Sequence, residues 1–104
     1  MKKTLTILLV NGGRPDVVGL IPSFLRADDP RPARDQFNER YISGWSPMKG
    51  FTMDPTTGEL HYPGDPPLKP RACIAWRSEG IWIYDSGWVA IVQDNGDYEV
   101  SRMD

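Results

Sequence analysis

The chain has 104 residues, of which 39% are hydrophobic and 25% charged, with ten glycines and ten prolines. That length supports one hydrophobic core and excludes a catalytic domain with a separate substrate domain, so residues 1–104 read as a single domain. A net charge of −2 gives no case for a polyanion partner, although eight Lys or Arg meet five Asp or Glu in residues 1–50 and four meet nine in residues 51–104.

Met1-Lys2-Lys3 and the apolar run Thr4–Val10 have the outline of a secretory leader. Asn11-Gly12-Gly13-Arg14-Pro15 stands where a small-residue cleavage site would, so Thr4–Val10 reads as a first strand, apolar on both sides. No run approaches the roughly 18 apolar residues of a membrane span, and a soluble cytoplasmic protein is the expectation. Val17–Leu25 is interrupted by Gly19 and Pro22, which leaves room only for a short turn starting at Ser23.

Asp29-Pro30 predicts a helix over 30–42, because Asp accepts an orphan amide bond and Pro has no amide to leave unpaired. Ala33, Phe37 and Tyr41 form its apolar stripe, and Ser43-Gly44 supplies the stop. A stripe this narrow suits a helix lying on a sheet. Arg26, Arg31, Arg34 and Arg40 are balanced by Asp28, Asp29, Asp35 and Glu39, so the segment offers no basic face to nucleic acid. Arg31 and Asp35 stand at i and i+4, the spacing of a surface ion pair. Trp45 and Phe51 bracket a Gly/Pro loop, and a small domain favours such rings as core plugs over contact residues.

Phe51-Thr52-Met53 and Glu59-Leu60-His61-Tyr62 flank Asp54-Pro55-Thr56-Thr57-Gly58, which predicts a short hairpin with Gly58 in a left-handed position. Pro63, Pro66, Pro67 and Pro70 then exclude an interior strand and predict an extended, rigid crossing. Four β-rich runs follow, 71–77, 81–85, 88–93 and 98–103, separated by Glu79-Gly80, Ser86-Gly87 and Asn95-Gly96. They predict an antiparallel meander. Two-residue turns at all three places pair Gln93 with Tyr98, Ile91 with Val100, Trp82 with Ile91, Tyr84 with Val89 and Arg77 with Trp82. One face then carries Cys73, Ala75, Arg77, Trp82, Tyr84, Val89, Ile91, Tyr98 and Val100. The other carries Ile74, Trp76, Ile81, Ile83, Trp88, Ala90 and Val92, with Glu99 and Ser101.

The expected fold is α+β, an antiparallel sheet of the C-terminal four-strand meander plus the N-terminal strand and a short hairpin, covered by one amphipathic helix. Cys73 is the only cysteine, which excludes an intrachain disulfide and a cysteine-based zinc site and points to a reducing compartment. With only Arg71 nearby as a cation, its thiol reads as packed and unreactive. His61 is the only histidine, and its spacing builds no catalytic pair with Cys73, a serine or a carboxylate. Gly12-Gly13 lacks a phosphate-loop pattern and reads as a turn. No metal or other cofactor is implied.

The expectation is therefore a small non-enzymatic protein-binding module acting through an aromatic sheet face, with Arg77, Trp82, Tyr84 and Tyr98 as the partner-binding residues. The competing readings are a small enzyme or small-ligand binder with a site near His61, and a weak single-stranded nucleic-acid binder. Because one helix covers one face, the second must be covered by the N-terminal segment, by the proline-rich crossing or by another molecule, and a homodimer or a protein partner is expected there.

Overall fold

The computed structural model describes residues 6–9, 29–40, 45–76 and 79–102. The expected strand at Thr4–Val10 is present as β1 (Thr6–Leu9), antiparallel to β4 (Ala72–Trp76), with Ile7 opposite Ile74 and Leu9 opposite Ala72. The burial expected for its side chains, the Gly12-Gly13 turn and the turn at Ser23 lie outside the described residues. The meander continues from β4 through β5 (Glu79–Ile83), β6 (Trp88–Val92) and β7 (Tyr98–Arg102), giving a five-stranded antiparallel sheet in the order β1-β4-β5-β6-β7. A separate two-stranded hairpin joins β2 (Thr52–Met53) to β3 (Leu60–His61), with Met53 opposite Leu60. The α+β architecture is as the sequence predicts.

The helix α1 spans Ala33–Arg40 and starts three residues later than Asp29-Pro30 suggests. The reason is a local competitor. An Asp29 carboxylate oxygen accepts the Arg31 amide at 2.9 Å and its side chain pairs with the Arg31 guanidinium at 2.7 Å, which shapes a turn ahead of the helix. The Pro32 carbonyl then accepts the first helical amides, from Asp35 and Gln36. Arg31 also pairs with Glu39, whereas the expected Arg31–Asp35 pair gives way to a contact of Asp35 with Arg34 at 3.8 Å.

The register of β6 differs from the expected one, because the turns are longer than the dipeptides that mark them. Asp85–Gly87 forms one turn of 3-10 helix closed by the Tyr84 amide donating to the Trp88 carbonyl at 2.9 Å, a three-residue connection. At the next turn the Gln93 amide donates to the Asp97 carbonyl at 2.7 Å, leaving Asp94, Asn95 and Gly96 as the loop, with Gly96 at φ +90°. Each extra residue moves the pairing by one and exchanges the faces. Ile91 therefore opposes Ile81 and Glu99, Trp82 opposes Ala90 and Cys73, and Trp82 and Ile91 point to opposite sides of the sheet. The two slips cancel beyond β6, so Trp82, Tyr98 and Val100 share a face as expected and only β6 is inverted. Glu79-Gly80, expected as a turn, lies inside β5 with Glu79 opposite Trp76.

Both faces are covered. On one side Ala33 and Phe37 of α1 and the Trp45 plug pack on Ala72, Ile74, Ile81, Ile83, Val89 and Ile91. Full burial stabilises each large aliphatic side chain here by about 1.5–3 kcal/mol. Trp45 stacks on Phe37 with ring centroids 5.4 Å apart. Three polar side chains on this face fasten the cover at its margins. Glu79 Oε1 accepts the Ala33 amide at 3.1 Å, Glu99 accepts the Trp45 indole N–H and the Arg34 guanidinium, each at 3.0 Å, and Ser101 Oγ donates to the Ser46 carbonyl at 3.0 Å. The Met48 amide donates to the Val100 carbonyl at 2.8 Å, so residues 46–48 run alongside β7.

On the other side Met53, Leu60, Tyr84, Ala90 and Val100 form a second core, with Phe51, Leu68, Trp82, Trp88 and Val92 packed against it. The hairpin and the proline-rich crossing supply this cover. The crossing is fixed to β3 by the Leu60 and Leu68 amides, each donating to the other's carbonyl at 2.9 Å.

Candidate functional site

The β2–β3 hairpin does not reach across the whole of its sheet face. Beside its tip a groove of about 310 Å³ remains, walled by Met53, Pro55, Cys73, Trp82, Val92 and Tyr98, with Gly80 and Gly96 completing the lining. The walls come from the hairpin and from four strands of the large sheet. Cys73 opposes Trp82, Gly80 opposes Val92, and Val92 opposes Tyr98, so the register places these positions in neighbouring rows of one face.

Each wall has a local cause. The hairpin tip is held by Asp54, whose carboxylate accepts the Thr56 and Thr57 amides at 2.8 and 3.3 Å, bonds that hold its carboxyl below the ordinary range. Gly58 closes the turn at φ +77°, where a β-carbon would come within 2.7 Å of the Trp82 ring and 3.1 Å of Pro70. Only glycine lets hairpin, crossing and indole meet there. Gly80 is different. A β-carbon at Gly80 would sit 3.8 Å from the Trp82 indole nitrogen and 4.0 Å from Val92, ordinary contact distances, so its missing side chain leaves open space. Tyr98 is 38% exposed and its hydroxyl donates to the Phe51 carbonyl at 3.3 Å, presenting a ring with a fixed outer edge.

Of the four residues expected to bind a partner, the structure brings Trp82 and Tyr98 together in this groove. Tyr84 goes elsewhere. It is 2% exposed in the second core, and its hydroxyl donates to the Gly58 carbonyl. Burial, with a smaller contribution from Cys73, pushes its phenol above the ordinary tyrosine value. Tyr84 thus joins the hairpin to the sheet from within and is no surface residue. Arg77 lies outside the described residues. Cys73, not Arg77, stands opposite Trp82, and among the described residues Arg102 lies over the Trp88 indole at 5.6 Å.

Val92, assigned from sequence to the face opposite that of Trp82, instead lines the groove as a consequence of the inverted β6. The sequence contained the necessary signal in Tyr84–Trp88 and Gln93–Asp97, but not which loop length the chain adopts. A second groove of about 270 Å³ lies on the same sheet side, among Phe51, Leu60, Tyr62, Trp88 and the crossing residues Asp65–Leu68. A third, polar hollow of about 520 Å³ adjoins the first and shares Gly96 and Tyr98 with it, adding Arg34, Gln93, Asp97 and Glu99.

His61 is exposed on β3 opposite Thr52 and lines neither aromatic groove. Burial pushes the Cys73 thiol up, the direction opposite to thiolate activation. Among the described residues no group of three His, Cys, Asp or Glu is placed to hold a metal ion, and no helix is long and apolar enough to cross a membrane. Compared with known proteins, the chain matches no family model, no curated protein and no solved structure.

Proposed function

We propose that this chain is a small non-enzymatic protein-binding module whose contact surface is the groove between Trp82 and Tyr98. The observation that carries the reading is the convergence of these two rings on one apolar recess, walled by side chains from four strands and the hairpin. Trp and Tyr offer large rigid contact areas at low entropic cost, which is why binding energy concentrates on them. Asp94 and Asp97 on the turn at the Gly96 end place negative charge where a nucleic-acid strand would bring phosphates, which favours a protein over an oligonucleotide. The groove is a part of the second sheet face that hairpin and crossing leave open. The contact that the sequence suggested for a whole face, whether with a partner or with a second copy in a homodimer, is thereby reduced to this recess.

Affinity purification of the tagged protein from its native cell, in parallel with a Tyr98→Ala variant, tests the reading. A protein recovered with the parent chain and lost with a folded Tyr98→Ala variant is expected. The same recovered set from both chains overturns it.

A further inference from the structure

The chain covers its own aromatic face with prolines, and the covered part indicates what the uncovered part accepts. Buried Pro70 shares the Gly58 corner with the Trp82 indole, since a β-carbon at Gly58 would lie within 3.1 Å of both. Pro66 and Pro67 stand beside Trp88, Phe51 and Tyr62 along the neighbouring groove. These contacts have a physical basis. An extended proline segment is already rigid, so docking it on aromatic rings costs little chain entropy, and its lack of amide donors leaves few polar groups to desolvate. The open groove offers the same chemistry on the far side of the sheet face, with Trp82 and Tyr98 as rings and Pro55 as a further wall. Gly80 leaves the space a pyrrolidine ring needs.

Charge gives the segment a second property. Asp94 and Asp97 are exposed on the turn at the Gly96 end, and the polar hollow that continues from the groove past Tyr98 carries Asp97 and Glu99. Its cation, Arg34, is engaged with Glu99 at 3.0 Å. The hollow therefore complements a basic side chain adjacent to the docked ring. We infer that the Trp82–Tyr98 groove takes an extended, proline-containing segment of another protein, flanked by Arg or Lys that reaches the Asp94–Asp97 turn. This rests on the protein-binding reading above and names its partner's chemistry.

The test is titration of the isotopically labelled protein with an eight-residue acetylated peptide containing two Pro-x-x-Pro-spaced prolines and two arginines, followed by amide and indole NMR shifts. Saturable shifts of the Trp82 indole and of the Gly80 and Gly96 amides are expected. Replacing the prolines by alanine should weaken binding at least about tenfold, as should replacing the arginines by glutamate, and the arginine effect should shrink with added salt. Gly80→Val fills the groove at a strand position that tolerates a side chain, and should abolish the shifts while leaving the thermal midpoint intact. Equal binding of the proline-free peptide overturns the proline assignment and leaves a groove that takes apolar side chains of other kinds. Shifts confined to residues away from Trp82 and Gly80 overturn the site. No shift with any peptide overturns the inference, and whether the protein-binding reading falls with it is then read from the Tyr98→Ala purification. A doubled mass by light scattering without peptide, abolished by Gly80→Val, identifies the occupant as a second copy and also overturns it.

Discussion

The two faces of the sheet are built from different materials, and the difference separates stability from availability. On the helix side the sheet contributes aliphatic side chains, with Ile74, Ile81, Ile83, Val89 and Ile91 buried under Ala33, Phe37 and Trp45. The hairpin side uses rings, prolines and glycines, whose shapes are fixed and do not flow into gaps, and it leaves the Trp82–Tyr98 groove and the groove beside Trp88. Branched aliphatic side chains interdigitate at crystal-like density, whereas a ring held by a turn leaves a recess wherever no other ring meets it.

The sharpest way to break this comparison is Ile83→Ala, which should cost about 2–5 kcal/mol by leaving a cavity on the helix side; a loss under about 1 kcal/mol in chemical denaturation would show the aliphatic face to be loosely packed. Gly58→Ala should follow at about 1–3 kcal/mol, combining a left-handed backbone with overlap on the Trp82 ring. Its indole fluorescence should change together with the unfolding midpoint. Tyr84→Phe should cost about 1–2 kcal/mol by stranding the buried Gly58 carbonyl.

Tyr84 also imposes a pH arm. Its folded phenol holds the proton above the ordinary value of 10.0, so its contribution is complete below that pH and is lost as pH rises through the higher folded value. Thermal midpoints measured from pH 8 upward should therefore fall less steeply for Tyr84→Phe than for the parent. Tyr98→Ala should have the smallest effect, under about 1 kcal/mol on stability, because the ring is partly exposed and its single hydrogen bond is long. A large loss there would move Tyr98 from the recess into the core.

Much of this fold is legible in local sequence. Asp54-Pro55 through Gly58 specifies its own turn, and the β-branched runs mark β4 to β7, because the forces involved act within a few residues. What local sequence leaves open is loop length. Asn95-Gly96 suits a two-residue turn with two left-handed residues, and equally a three-residue loop in which Gly96 is left-handed and Asn95 Oδ1 accepts the Asp97 amide at 3.0 Å. One residue of difference inverts a strand. Glu79 and Tyr84 fail for another reason. Their partners, the Ala33 amide and the Gly58 carbonyl, are 46 and 26 residues away in sequence, so a residue that reads as turn or as exposed ring acquires its role only when distant segments meet. For the candidate site, Trp82 and Tyr98 were readable because two register errors cancelled between them. Val92 and Gly80 were not, since each depends on the register of β6 or on the true end of a turn.

The run of residues 46–48 beside β7 bears on how this molecule avoids fibrous self-pairing. β7 ends the sheet, and an end strand with free amides and carbonyls templates the next chain in cross-β growth. Here the Val100 carbonyl already holds the Met48 amide and the Ser46 carbonyl holds Ser101 Oγ, so a newcomer must first peel away a segment anchored next to the buried Trp45. Lateral addition on that margin is thus opposed by the loosening of Trp45 from Phe37, which couples resistance to aggregation with integrity of the helix-side core. Conditions that free Trp45 should seed fibrils sooner than conditions that disturb the hairpin.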